Sequence, residues 1–210
     1  MIVKVLLING SPNKNGCTYT ALTEVANQLN KNEIETEIFH IGNKPIRGCI
    51  GCGKCASNGR RCIFDDDVVN EAIGKGEQCD GLVIGSPVYY ASPNGALMAF
   101  LDRLFYAGKC FAYKPGAAIA SARRAGTTAA IDAIQKYFTI SNMPIVSSQY
   151  WNMVHGSKPE DVLKDLEGLQ TMRVLGNNMA WLLKCIEAGK QNGIDIPVLG
   201  EEKVRTNFIR

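Results

Sequence analysis

Apolar residues along this chain fall alternately into short continuous runs and into stripes at helical spacing. Val5-Leu6-Leu7-Ile8 is a run of four apolar residues, the pattern of a strand buried on both faces. Asn9 to Thr18 interrupts it with glycine, asparagine and hydroxyl residues, and Leu22, Val25, Ala26 and Leu29 then recur with a helical period. A second strand reads from Ile34 to Phe39, where Ile34, Thr36 and Ile38 alternate with Glu35 and Glu37. From Ile41 to Phe64 no period holds, so this is a long excursion of the kind that usually has a function. A short helix follows from Asp65 or Asp66 through Val68, Val69 and Ile73, ending near Gly74-Lys75-Gly76. The third strand, Gly81 to Gly85, stops at Ser86-Pro87, and helix character returns at Leu97, Met98, Phe100, Leu101, Leu104 and Phe105.

A fourth strand at Pro115–Ala120 precedes a helix over Ala129–Phe138, and Met143–Val146 is the fifth strand. Ser157-Lys158-Pro159-Glu160 is a capping box with proline in the first turn. It opens a last helix through Leu163, Leu166 and Leu169 to about Ile186, with Gly176-Asn177-Asn178 as its weak point. Strands alternating with helices imply an α/β fold: a doubly wound, five-stranded parallel sheet with helices on both faces. Residues 1–190 form this domain, with a cysteine-rich loop at 48–64. Residues 191–210 form an extended tail that needs a surface to lie on, such as a partner subunit. In such sheets ligands bind outside the carboxyl ends of the strands, and the irregular loops after Asn9, Gly85 and Ala120 all fall at that edge.

With 210 residues and 46% apolar content, one core is sufficient for the whole chain. A formal charge of +3, with no basic run longer than Arg60-Arg61 or Arg123-Arg124, argues against nucleic acid as a partner. No apolar stretch approaches the ~20 residues of a membrane span. Met1 runs almost directly into the first strand, leaving no room for a signal peptide, so a cytoplasmic location is expected. In that compartment eight cysteines suit thiols or metal ligands better than disulfides. Cys79 before a strand and Cys185 in an apolar pattern read as inert core thiols.

Three loops could carry chemistry. The first, Ser11 to Thr18, places backbone amides and hydroxyls at a helix start, where dipole and unpaired N–H groups favour phosphate. It has neither the P-loop ending nor the three-glycine dinucleotide pattern. The second, Ser86 to Gly95, combines two prolines with Tyr89 and Tyr90, either a flat wall for a planar cofactor or a simple cover for a sheet edge. In the third, Arg123 and Arg124 either meet an anion or form a solvated pair. His155 reads as a surface or hydrogen-bonding residue. Neither histidine has metal-ligand spacing, and no serine-hydrolase elbow is present. Cys49, Cys52, Cys55 and Cys62 lie within fourteen residues. Their compact spacing suits iron–sulfur ligation more than structural zinc, with four free thiols as the alternative.

Gly10-Ser11-Pro12 through Gly16-Cys17-Thr18, the four-cysteine segment ending in Asp65-Asp66, and Ser86-Pro87-Val88-Tyr89 followed by Phe100-Leu101-Asp102-Arg103 together carry a resemblance. From the first strand to about Val146 the chain resembles the NADPH-dependent FMN reductase family of flavodoxin-like proteins, and in particular its iron–sulfur flavoprotein branch. The resemblance implies that Ser11, Asn13, Asn15, Gly16, Cys17 and Thr18 hold the FMN phosphate. Pro87, Val88, Tyr89 and Tyr90 would edge the isoalloxazine, and Ser121, Arg123, Arg124 and Gly126 would close its far side. It further implies a 4Fe–4S cluster on Cys49, Cys52, Cys55 and Cys62, and a homodimer or homotetramer with the Tyr90–Phe105 region near the subunit contact. An excess of apolar residues over Leu97–Phe105 points the same way. Cys17 and Arg123-Arg124 depart from the family's usual asparagine or serine and glycine-rich segment. The implied activity is an NAD(P)H oxidoreductase whose reduced FMN passes electrons to a quinone, nitro or azo compound, flavin or iron–sulfur acceptor. The alternative is a non-enzymatic iron–sulfur flavoprotein that carries electrons between proteins.

Overall fold

A computed structural model describes residues 3–198, 200–202, 204 and 206. In order, the elements are β1 (Lys4–Asn9), α1 (Cys17–Lys31), β2 (Glu35–His40), α2 (Val69–Glu77), β3 (Gly81–Tyr89), the two-residue β4 (Ser92–Pro93) and α3 (Gly95–Ala107). They continue with β5 (Gly116–Ala122), α4 (Thr127–Ile140), β6 (Met153–His155), the single turn α5 (Pro159–Val162) and the long α6 (Leu166–Gln191). The parallel strands lie in the order β2-β1-β3-β5-β6, while β4 folds back antiparallel on the end of β3. With that hairpin set aside, this is the flavodoxin-like order 2-1-3-4-5, as expected.

The central strands are apolar on both faces because both faces are covered. Leu6, Ile8, Leu82, Ile84, Ala118 and Ala120 pack toward α2, α3 and α4. Their alternates Val5, Leu7, Val83, Ala117 and Ile119 pack toward α1 and α6. Among the described residues, no helix is long and apolar enough to cross a membrane.

Several expectations need correction. β3 does not stop at Ser86-Pro87 but runs to Tyr89. Its pairing with β1 ends at Gly85, so Pro87 sits where the strand is locally an edge and a missing N–H is tolerated. The fifth strand is Met153–His155 rather than Met143–Val146, where Ile145 makes only an isolated bridge to Gly116. Between the two, Asn152 holds the edge. Its carboxamide donates to the Ala118 carbonyl at 3.1 Å and its carbonyl accepts from the Ala120 N–H at 2.9 Å. The capping box at Ser157 is not formed, because α5 has no side-chain cap and ends after one turn. Asp165 instead caps α6, accepting from the Gly168 N–H at 2.9 Å. Gly176 does not weaken that helix. A Cβ there would lie 2.8 Å from Gln28 Cβ, so the glycine lets α6 press against α1.

Leu97, Phe100, Leu101, Leu104 and Phe105 of α3 are buried in the chain's own core, so they are not the expected surplus of apolar surface over Leu97–Phe105. Cys79 is buried, and burial pushes its thiol up to about 11, whereas Cys185 is exposed. Beyond α6 the chain turns back so that Ile194, Ile196 and Pro197, with Leu182, Ile186 and Met143, line a cleft of about 730 Å³. Of the expected tail, Leu199, Lys203, Arg205 and 207–210 lie outside the described residues.

Candidate functional site

The first loop is shaped from beneath by Asn9, buried at the end of β1. Its Oδ1 accepts the Ser11 N–H at 3.1 Å and its Nδ2 donates to the Lys14 carbonyl at 3.0 Å. Ser11 Oγ in turn accepts the Asn13 N–H at 3.1 Å, and the Gly16 N–H donates to the Asn13 carbonyl at 3.1 Å. His40 Nε2 lies 2.7 Å from the Ser11 carbonyl, fixing the loop to β2. Gly16 then occupies the N-cap of α1, and no side chain caps the helix. The amides of the first turn are therefore left for a ligand, which is the arrangement that binds phosphate. Asn13 and Asn15 stand exposed on the loop. Cys17 offers this loop its backbone only: its thiol turns away toward the Gly156 carbonyl, 3.7 Å off. Burial, the largest influence on it, pushes that thiol up from its ordinary value.

The other two loops are tied to the first by single, well-placed bonds. Asn94 donates from Nδ2 to the Gly10 carbonyl at 2.7 Å, receives the Ala96 N–H as the cap of α3, and gives its own N–H to Ser86 Oγ at 3.0 Å. Thr18 and Ser121 share a buried hydroxyl pair 2.8 Å apart, joining α1 to the end of β5. Gly126, at φ +93°, lies where a Cβ would come within 2.7 Å of Ala91 Cα, so the third loop presses on the β3–β4 hairpin. That hairpin turns on Tyr90 and Ala91, both left-handed at φ 50° and 60°, in positions that usually take Asn-Gly. Two such residues cost roughly 1–3 kcal/mol each, and strain of this kind concentrates at ligand clamps. Tyr90 is fully exposed and Tyr89 half-exposed, while Pro87 and Val88 are half-buried behind them. Arg123 and Arg124 are exposed, with no ion-pair partner among the described residues. His155, at the end of β6, approaches the Arg124 carbonyl at 3.1 Å and so holds the third loop in place.

The cysteine loop lies beside α3. Cys55 and Cys62 are buried; Cys49 and Cys52 are exposed, and all four line one small cavity with Phe64, Arg103 and Tyr106. Burial, then the neighbouring Cys62, Cys52 and Cys49, pushes the Cys55 thiol up. Among the described residues no three potential ligands converge on one point as a single ion requires. Four cysteines lining one cavity are a soft donor set, of the kind that iron–sulfur clusters and zinc both take. The cavity is small, about 10 Å³, and Gly51 and Gly53 flank Cys52 in the exposed arm.

Arg103 was not legible as part of the site. It is 1% exposed, and its Nε donates to Cys62 Sγ at 3.2 Å. The remaining guanidinium nitrogens donate to the Arg47 carbonyl at 3.1 Å, the Phe64 carbonyl at 3.0 Å and the Asp67 carboxylate. The sequence signals were its place in the Phe100–Arg103 motif that carries the resemblance and a cation inside the apolar stripe from Leu97 to Leu104. Asn9 and Asn94 were missed as well, since each works through its carboxamide from a buried strand end or helix cap.

Comparison with known proteins agrees with this geometry. The family model described as NADPH-dependent FMN reductase matches residues 3–158. An iron–sulfur flavoprotein of Methanocaldococcus jannaschii is 33% identical over 194 residues, covering 88% of this chain and all of that one. An iron–sulfur flavoprotein of Methanosarcina thermophila is 26% identical over 195 residues, covering 90% and 99%. Among solved structures, RosB with bound intermediate OHC-RP superposes with a TM-score of 0.70 at 15% identity, over 99% of this chain and 94% of that one. A flavodoxin from the domain Archaea gives 0.58 at 16% identity, over 87% and 99%. At such identities the structures speak for the fold alone. The family match and the full-length relatives go further: the chain belongs to the NADPH-dependent FMN reductase family, in its iron–sulfur flavoprotein branch.

Proposed function

We propose that this protein is an iron–sulfur flavoprotein that carries electrons between a flavin at the three loops and partner proteins that meet it at the cysteine loop. Family membership makes it an FMN- and NAD(P)H-linked flavoprotein oxidoreductase. The observation that carries the finer reading is the union of two donor sets on one scaffold. The uncapped first turn of α1 lies within loops bonded to one another, and four thiols share a single cavity beside α3.

In this reading the backbone of Ser11, Asn13, Asn15, Gly16, Cys17 and Thr18 receives the FMN phosphate. Pro87, Val88, Tyr89 and Tyr90 border the ring, and Ser121, Arg123, Arg124 and Gly126 close the third side. Cys49, Cys52, Cys55 and Cys62 hold a 4Fe–4S cluster. When bound, FMN supplies one- or two-electron chemistry and the cluster one-electron chemistry. The chain's own task is to place and shield both groups, and no side chain need act as acid or base. The relatives are named iron–sulfur flavoproteins, which supports a reading with both cofactors over a flavin-only reductase of a quinone, nitro or azo compound. Self-association as a dimer or tetramer belongs to the same reading, supported by exposed Tyr90, Tyr106 and Trp181.

Anaerobically purified protein tests this directly. Apoprotein should bind FMN at least tenfold more tightly than riboflavin, a difference of about 1.4 kcal/mol. Iron and acid-labile sulfide should be present in the parent and lost in a Cys52→Ser, Cys55→Ser variant. Equal affinity for the two flavins would remove the phosphate loop, and iron-free parent protein would remove the cluster.

A further inference from the structure

We propose that Arg103 is a positioning residue that fixes Cys62 as an inner ligand and tunes the charge on its sulfur, an inference that rests on the cysteine loop holding an iron–sulfur cluster. Five donors leave one guanidinium, and here they are spread over both ends of that loop. Nη1 reaches the Arg47 carbonyl, two residues before Cys49, and Nη2 reaches the Phe64 carbonyl, two residues after Cys62. Asp67, which also accepts the Val69 N–H at the start of α2, takes the remaining charge-assisted bond. Two guanidinium groups approach the Phe64 ring, Arg47 at 4.5 Å and Arg103 at 5.6 Å from its centroid. One side chain from α3 therefore clasps the loop where it leaves and rejoins the core.

A clasp alone does not call for a cation in this place. Burying a guanidinium costs several kcal/mol unless anions surround it. Asp67 is one such anion. The Nε–H is spent on a thiol, a weak acceptor while protonated and a strong one as a thiolate. The arrangement is thus better satisfied when Cys62 is an anionic ligand. An N–H bond to a cluster sulfur, with a positive charge behind it, stabilises the more negative, reduced state and raises the reduction potential. Cys62, the cysteine that Arg103 contacts, is buried as Cys55 is, whereas Cys49 and Cys52 are exposed. The influence of Arg103 consequently falls on the buried Cys62.

Potentiometry of anaerobically purified parent, Arg103→Lys, Arg103→Gln and Asp67→Asn separates tuning from simple support, with the flavin potential of each sample as an internal reference. In Arg103→Gln the oxidised-to-reduced ratio of the cluster should shift at least tenfold toward oxidised, 59 mV for one electron. Arg103→Lys should shift it less in the same direction, and Asp67→Asn should shift it the opposite way. If Arg103→Gln does not fold, the opposed signs of the other two variants decide. Parent potentials in every variant that retains iron would overturn the proposal, whatever the iron content.

A parent without iron or sulfide would instead count against the cluster reading. The positioning of Cys62 is then decided on metal-free protein by iodoacetamide labelling mapped by mass spectrometry. Cys62 should be protected in the parent and label at least tenfold faster in Arg103→Gln, with Cys49 unchanged. Equal protection of Cys62 in the two proteins would overturn it.

Discussion

The hydroxyls of Thr18 and Ser121 are buried together 2.8 Å apart, and each is the other's only side-chain partner among the described residues. Thr18→Val keeps the shape and strands the Ser121 hydroxyl, so about 1–3 kcal/mol of stability should be lost. A fall in the urea midpoint with unchanged m-value, together with weaker FMN binding, would confirm it; an unchanged midpoint would contradict it. Both residues could be picked from the sequence because each sits in a loop of the right composition. Their pairing could not, because 103 positions separate them and no periodic signal links the two loops. Cys17 shows the converse: its position in the first loop was legible, and the direction of its thiol was not. Arg103 escaped for a related reason. A charged pair such as Asp102-Arg103 within an apolar stripe ordinarily marks the solvated edge of a helix, and only the packed cysteine loop buries the arginine.

At the scale of elements, ion pairs and caps decide what the hydrophobic pattern leaves open. Glu37 on β2 meets Lys4 on β1 and Lys75 on α2, each at 2.6 Å. Hydrogen bonds from Lys4 and then Lys75 hold its carboxyl below its ordinary value of 4.5. A lowered carboxylate pKa contributes stability that is full above the unfolded value and is lost as pH falls through the folded one. The stability gap between parent and Glu37→Gln should therefore be widest at neutral pH and close progressively below about 4.5. Urea midpoints across that range check it, and a gap independent of pH would contradict it. Strands β1, β2, β3 and β5 were readable because their apolar runs are continuous or alternating. β6 was not, because it has three residues and its neighbour Asn152 supplies sheet bonds from a side chain as well as the backbone. The false helix start at Ser157 has a similar origin. The local motif is genuine as sequence, but Asp165 bonds both the His155 N–H at 2.7 Å and the Gly168 N–H, and so fixes the start of α6.

Across the whole molecule, α3 is the beam between the two candidate cofactor sites. Its cap Asn94 is bonded to the first loop, and Arg103, nine residues on, grips the cysteine loop about 13 Å further along the axis at 1.5 Å per residue. The exposed face of α6 at Trp181 and the cleft lined by Ile194 and Ile196 leave apolar surface for a second copy of the chain. Sedimentation at micromolar concentration should report at least twice the 22.9 kDa chain mass, and a monomer alone would refute self-association. The central claim is that one chain holds both a flavin and an iron–sulfur cluster. Anaerobic reductive titration with dithionite, followed by absorbance and electron paramagnetic resonance, counts this directly. The predicted uptake is about three electrons per chain, two by FMN and one by the cluster. An endpoint at about two electrons, with no paramagnetic cluster signal, would leave a flavoprotein whose four cysteines are only thiols.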